Sequence, residues 1–127
     1  MTRLLLLVFI GGGCGSVLRF LVSGWMRPLG ETFPWGTLTV NVVGSMLIGL
    51  LMPLLSGPLL VRPEYRLAVL VGLLGGFTTF SSYSLETLSL MQDGQWRLAG
   101  MNIVLSNTLG LAAAWLGMRL SILWYGG

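Results

Sequence analysis

The sequence predicts an all-α integral membrane protein of four transmembrane helices, and three observations lead there. Of its 127 residues, 54% are hydrophobic and only 9% are charged, where a soluble domain carries about 25% charged residues. The mean hydropathy is +0.85, and the seven basic and four acidic side chains cannot give a water-facing surface to so apolar a core, so lipid is the main solvent. The apolar residues also fall into four blocks parted by short polar connectors. Each block has the roughly 20 residues that cross a bilayer as a helix.

The predicted spans are residues 4–26, 35–60, 67–91 and 98–125, within a single transmembrane domain covering 1–127. The first resembles a secretory signal in having Arg3 before an apolar stretch. It also carries Gly11-Gly12-Gly13, an internal Arg19 and no small-residue cleavage site before Arg27, so it is expected to stay as a spanning helix. The connectors RPLGETFP (27–34), VRPEYR (61–66) and QDGQWR (92–97) are short enough to make consecutive helices antiparallel neighbours, and too short to hold a soluble module.

Composition excludes several kinds of function. Cys14 is the sole cysteine and there is no histidine, which rules out an internal disulfide and argues against a zinc or haem site. With so little water-exposed chain, an enzyme is not expected. The pI near 9.8 comes from scattered arginines, which suit anionic lipid headgroups rather than nucleic acid. If the N terminus and the second connector share a side, Arg3, Arg62, Arg66 and Arg119 lie there, against Arg27 and Arg97 with Arg19 nearby. So weak a bias permits an N-in orientation or insertion both ways round.

Small residues recur every fourth position: Gly11 and Gly15; Asn41, Ser45 and Gly49; Gly72 and Gly76; Asn102, Ser106, Gly110 and Ala114. Such stripes let helix backbones approach closely and hydrogen-bond across the contact. One bundle of this size hardly encloses a polar path, so a C2 homodimer is the expected minimum assembly.

Arg19 and Glu86 lie inside apolar segments, where a charge costs several kcal/mol unless it is paired, snorkelling or facing water. Either they are structural, or Arg19 makes an opening electropositive while Glu86 fixes nearby helices. Asn41 faces another helix or a pore, and Asn102, Ser106, Asn107 and Thr108 pose the same choice.

The third span holds the strongest signal, GGFTTFSSY, Gly75 to Tyr83. Glycine weakens a helix interior, and Ser and Thr replace its ladder with local bonds. A break here frees backbone groups that only protein, water or ions can satisfy, and in an antiparallel dimer two facing breaks offer carbonyls to a buried cation. The alternative is an unbroken helix whose hydroxyls bond back to i−4 carbonyls. Phe77, Phe80 and Tyr83 broadly share a face, with hydroxyls interleaved at Thr79, Ser81, Ser82 and Ser84. That stripe is either packing or a set of positive ring edges for a small anion that must enter and also leave.

With these blocks in place the chain resembles the small fluoride channels called Fluc or CrcB. The resemblance covers essentially all of it, through GGGCGSVLRF (11–20), GTLTVNVVGS (36–45), GLLGGFTTFSSYSLE (72–86) and NIVLSNTLGL (102–111). It implies passive, fluoride-selective export across the inner membrane by an antiparallel, dual-topology homodimer with a pore along each of two subunit interfaces. Asn41, Phe80 and Tyr83 then match pore residues, with Ser81, Ser84 and Asn102 beside them, and Ser106 and Thr108 resemble a polar track on the fourth helix. Gly75 and Thr78 resemble residues whose backbone carbonyls hold a structural sodium ion at the dimer centre. Arg19 matches a vestibule arginine and Glu86 a third-helix glutamate. The expected partners are a second copy of the chain, fluoride and membrane lipid. One departure stands out: the family usually has Phe where this sequence has Tyr83, whose hydroxyl is free to bond the anion, water or a neighbour such as Asn41.

A small multidrug-type exporter needs a membrane-embedded acid in its first helix, where this chain has only Arg19; the acid at membrane depth is Glu86. Proton-coupled fluoride export through Glu86 is the nearer rival to a channel. A non-transporting scaffold explains the glycine stripes but leaves Asn41, Asn102 and the polar centre of the third span without a purpose.

Overall fold

The computed structural model describes residues 1–125, folded as four membrane-length helical spans. Helix α1 (Thr2–Trp25) runs into a 3-10 turn at Arg27–Leu29, and the chain leaves that turn through Gly30 at φ 138°. Helix α2 (Trp35–Ser56) begins at Pro34, whose carbonyl accepts from the Leu38 N–H at 3.1 Å. It ends earlier than its apolar run, because Gly57 and Pro58 turn the chain. The turn places Leu60 at φ 47°, a left-handed conformation uncommon for a residue with a branched side chain.

The third span begins at Pro63, in the first turn of α3 (Pro63–Leu67), where a missing N–H has no cost. It continues as a π-helical stretch, Ala68–Leu73, and then α4 (Leu74–Phe77). After two extended residues it resumes as α5 (Phe80–Gln92). The helix is therefore broken in the middle of a membrane span, as the Gly-rich and hydroxyl-rich stretch predicts. Helix α5 stops at Asp93 and Gly94, the latter at φ 76°. The Gln95 N–H reaches the Leu90 carbonyl at 2.8 Å and the Gly94 N–H reaches that of Met91 at 3.0 Å. This is a Schellman closure. It aims the chain into α6 (Trp96–Tyr125), which at about 45 Å is longer than a hydrocarbon core about 30 Å thick.

Two close pairings build the bundle: α1 lies on the π-helical stretch and α4, and α2 lies along α6. Glycine makes both possible. A Cβ at Gly15 would overlap the Leu73 carbonyl oxygen, and one at Gly49 would overlap that of Ala114. Gly72 and Gly76 answer from the other side, since a Cβ on either would press on the backbone of α1 at Val8 and Gly12. The N terminus and the second connector share a side, where the Arg3 guanidinium donates to the Tyr65 hydroxyl at 2.8 Å. Most large apolar side chains remain exposed on the single chain, among them Phe9, Phe20, Leu111 and Trp124.

Gly15→Ala and Gly49→Ala are each expected to destabilise the fold by about 1–3 kcal/mol, because a backbone atom cannot move aside for the added carbon. Gly13→Ala has open space around it and serves as the neutral control. Thermal unfolding midpoints in detergent check all three.

Candidate ion pathway

At the break, Thr78 (φ −88°, ψ 159°) and Thr79 (φ −151°, ψ 117°) are extended. Asn41, across from them on α2, holds both polar groups of Thr79. Its Oδ1 accepts from the Thr79 N–H at 2.8 Å and its Nδ2 donates to the Thr79 carbonyl at 3.0 Å. One amide thus satisfies two backbone groups that would otherwise be costly at membrane depth. Arg19 does the same for the end of α4, its Nε donating to the Gly76 carbonyl at 3.1 Å. Thr79 also caps α5, its Oγ1 accepting from the Ser82 N–H at 3.1 Å.

These bonds redirect two particular donors. In an unbroken helix the Thr79 N–H would serve the Gly75 carbonyl, and the Ser82 N–H that of Thr78. The first goes to Asn41 and the second to the Thr79 hydroxyl. The carbonyls of Gly75 and Thr78 therefore lose their helical partners. Both residues line a groove of about 290 Å3 together with Asn41, Ser45, Leu70 and Phe80, and a Cβ on Gly75 would meet nothing within 4 Å.

On the far side of the break, α1, the first connector, α2 and α5 enclose a wider groove of about 1060 Å3, with Arg19, Ser23, Thr37, Thr79, Ser82 and Glu86 on its walls. Arg19 and Glu86 share this groove but are not partners. The Glu86 Oε1 accepts from the Thr37 hydroxyl at 2.7 Å, while its Oε2 is buried with no protein partner among the described residues. Sequence patterning does not single out Thr37, although it stands four residues before Asn41 and so on the same helix face.

The aromatic pair lies on the first turn of α5. Phe80 is 78% exposed, and its ring centroid is 5.4 Å from that of Tyr83 at an interplanar angle of 49°. Such a tilt turns ring edges, not only faces, toward the surroundings. The Tyr83 hydroxyl goes to α6 rather than to Asn41, accepting from Asn107 Nδ2 at 3.4 Å.

The remaining polar residues divide by their partners. Asn102 is 1% exposed; it donates to Thr87 Oγ1 at 2.9 Å and accepts from the Ser106 hydroxyl at 3.2 Å. Thr87 in turn donates to the Tyr83 carbonyl at 2.7 Å. This relay ties α5 to α6 beneath the aromatic pair. Ser84 donates to the Phe80 carbonyl at 3.0 Å, and the exposed Ser81 lies 3.3 Å from the Thr79 hydroxyl. Thr108 is exposed on α6. The break therefore gathers Arg19, Asn41, Gly75, Thr78 and Phe80 in one region, with Tyr83 one helical turn beyond. Among the described residues no cluster of His, Cys, Asp or Glu is arranged to hold a metal ion, so any cation here would rest on oxygen dipoles.

A family model described as "CrcB-like protein, Camphor Resistance (CrcB)" matches residues 6–118. The chain is 54% identical over 117 residues to the fluoride-specific ion channel FluC of Opitutus terrae, covering 90% of this chain and 89% of that protein. It is 50% identical over 115 residues to the FluC of Agrobacterium fabrum, covering 90% and 92%. With the FluC of Magnetococcus marinus it shares 49% over 112 residues, covering 87% and 91%.

Asn41→Ala leaves the Thr79 N–H and carbonyl without their partner. A loss of about 1–3 kcal/mol per unsatisfied group is expected, with faster hydrogen exchange at the Thr79 amide than in the parent protein. Unchanged exchange at Thr79 would show that another group holds the break.

Proposed function

The chain belongs to the CrcB-like family, and on that premise we propose that it is a fluoride-selective passive channel whose ion path runs past the break in the third span. It is a multi-pass protein of the inner membrane and exports fluoride down its gradient. The observation that carries this reading is the joining of a membrane-depth helix break, braced by Asn41, to an exposed aromatic pair on the first turn that follows it. FluC relatives from several bacteria, similar along nearly their whole length, support the ion's identity.

The working unit we propose is an antiparallel homodimer with two pores. Its support is the exposed apolar surface and the high exposure of Phe80 on the single chain, together with a groove at the break that this chain alone leaves open. In this arrangement the wide groove is a vestibule. Arg19, anchored through Nε to the Gly76 carbonyl, raises the local concentration of anions there. Fluoride then passes ring edges of Phe80 and Tyr83 and the hydroxyls of Ser81 and Thr108, while Ser84 and Ser106, whose protons go to the Phe80 carbonyl and to Asn102 Oδ1, would donate to the ion only by turning away from those partners. Positive edges and neutral donors hold a small anion weakly enough for it to leave. Glu86 is bonded to Thr37 and belongs to the helix framework of the vestibule.

Gly75 and Thr78 fit a structural sodium ion. Their carbonyls are among the four, Gly75 to Thr78, that the break leaves without helical donors, and oxygen ligands suit a hard cation. The ion would supply positive charge between two facing breaks and is not transported.

Proteoliposomes containing this protein are expected to release fluoride and retain chloride, and the fluoride current alone should set up a membrane potential. An electroneutral flux would favour a proton-coupled exporter. The Tyr83→Phe form should also pass fluoride at a different rate; no efflux from the Tyr83 form would remove the channel reading. Replacing sodium with N-methylglucamine should lower the unfolding midpoint, and an unchanged midpoint would count against the central cation.

A further inference from the structure

The Tyr83 hydroxyl and its neighbour on α6 carry an inference beyond that reading, on which it rests. Asn107 Nδ2 makes two contacts: it donates to the Ile103 carbonyl at 2.8 Å on its own helix and to the Tyr83 hydroxyl at 3.4 Å. A carbonyl can only accept, so the Ile103 contact fixes which end of the amide is the nitrogen. The nitrogen end is therefore the one directed at the phenol. An amide nitrogen can only donate, so Tyr83 must meet it with a lone pair, and the phenol's own proton is left over. No other hydrogen bond among the described residues involves that hydroxyl.

We propose that Asn107 is a positioning residue that holds the Tyr83 phenol with its O–H proton turned into the ion path, making Tyr83 a hydrogen-bond donor to the passing fluoride. A phenol that already accepts one hydrogen bond is a better donor through its own proton, so Asn107 both orients and polarises the group. Phe80 holds the other side of the ring, 5.4 Å away between centroids and tilted, and the carbonyl of Tyr83 is tied to Thr87 at 2.7 Å. Ring, backbone and hydroxyl of Tyr83 each have a separate support. Fluoride is the halide that gains most from such a donor, being small and the strongest hydrogen-bond acceptor of its group. A Phe at this position offers a ring edge only.

Fluoride efflux from proteoliposomes, measured over a range of internal fluoride for the parent protein, Tyr83→Phe, Asn107→Leu and the double variant, tests this. Tyr83→Phe and Asn107→Leu should each raise the half-saturating fluoride concentration about fivefold, the effect of one ordinary net hydrogen bond. The double variant should show no more than either single change, because Asn107 acts only through the phenol. If Asn107→Leu raises the half-saturating concentration by the same factor when Tyr83→Phe is already present, or leaves the parent value unchanged, the proposal is overturned. A parent protein that passes no fluoride overturns the channel reading itself, a different result from additive variants. Infrared difference spectra give a second readout should Asn107→Leu fail to fold. The C–O stretch of Tyr83, assigned by subtraction of the Tyr83→Phe protein, should shift on adding fluoride and stay put with chloride; no shift with fluoride overturns the proposal.

Discussion

A backbone broken inside a membrane must have its polar groups satisfied by protein, water or ions, and in this molecule one side-chain amide holds two of them at the centre of the break. Asn41 holds the N–H and the carbonyl of Thr79 at once, much as a neighbouring strand would. Hydrocarbon offers no substitute partner, so the break exists only where α2 supplies this amide. The position of α2 against α4 and α5 is tied to it, and so is the direction in which α5 sets out, carrying Phe80 and Tyr83.

The close pairings of α1 with the third span and of α2 with α6 serve the same constraint. Glycine at positions 15, 72 and 76 brings α1 against the π-helical stretch and α4 at backbone distance. Arg19 then stands near enough to the end of α4 to cap the Gly76 carbonyl. A membrane-depth guanidinium is costly unless hydrogen-bonded or wet, and here it has both a carbonyl and the wide groove. Its charge is thus retained beside the helix break through a structural bond. Glu86 is held in the same groove by Thr37. The two side chains share that groove without pairing with one another.

Much of this was legible in residue types. Four spans follow from a chain too apolar for water, and the break follows from Gly75-Gly76 with the hydroxyls after it, because both weaken the helical ladder. The turn residues were weaker guides: the second apolar run continues to residue 60 while α2 stops at Ser56, since Gly57 and Pro58 are compatible with hydrophobic surroundings but not with helix. Thr37 has no signature in the sequence, because a lone threonine near the end of an apolar span has no pattern to distinguish it from a packing residue.

What the sequence by itself determined is everything that depends on solvent and on local backbone preference: the membrane, the four helices, the broken third span and the small-residue faces. Only the tertiary structure decided which polar group answers which. Asn41 and Thr79 are 38 residues apart, Thr37 and Glu86 are 49 apart, Arg19 and Gly76 are 57 apart, and Tyr83 and Asn107 are 24 apart. Hydrogen bonds are short and directional, so their pairing is set by where packed backbones place each donor, and no periodicity along the chain encodes that.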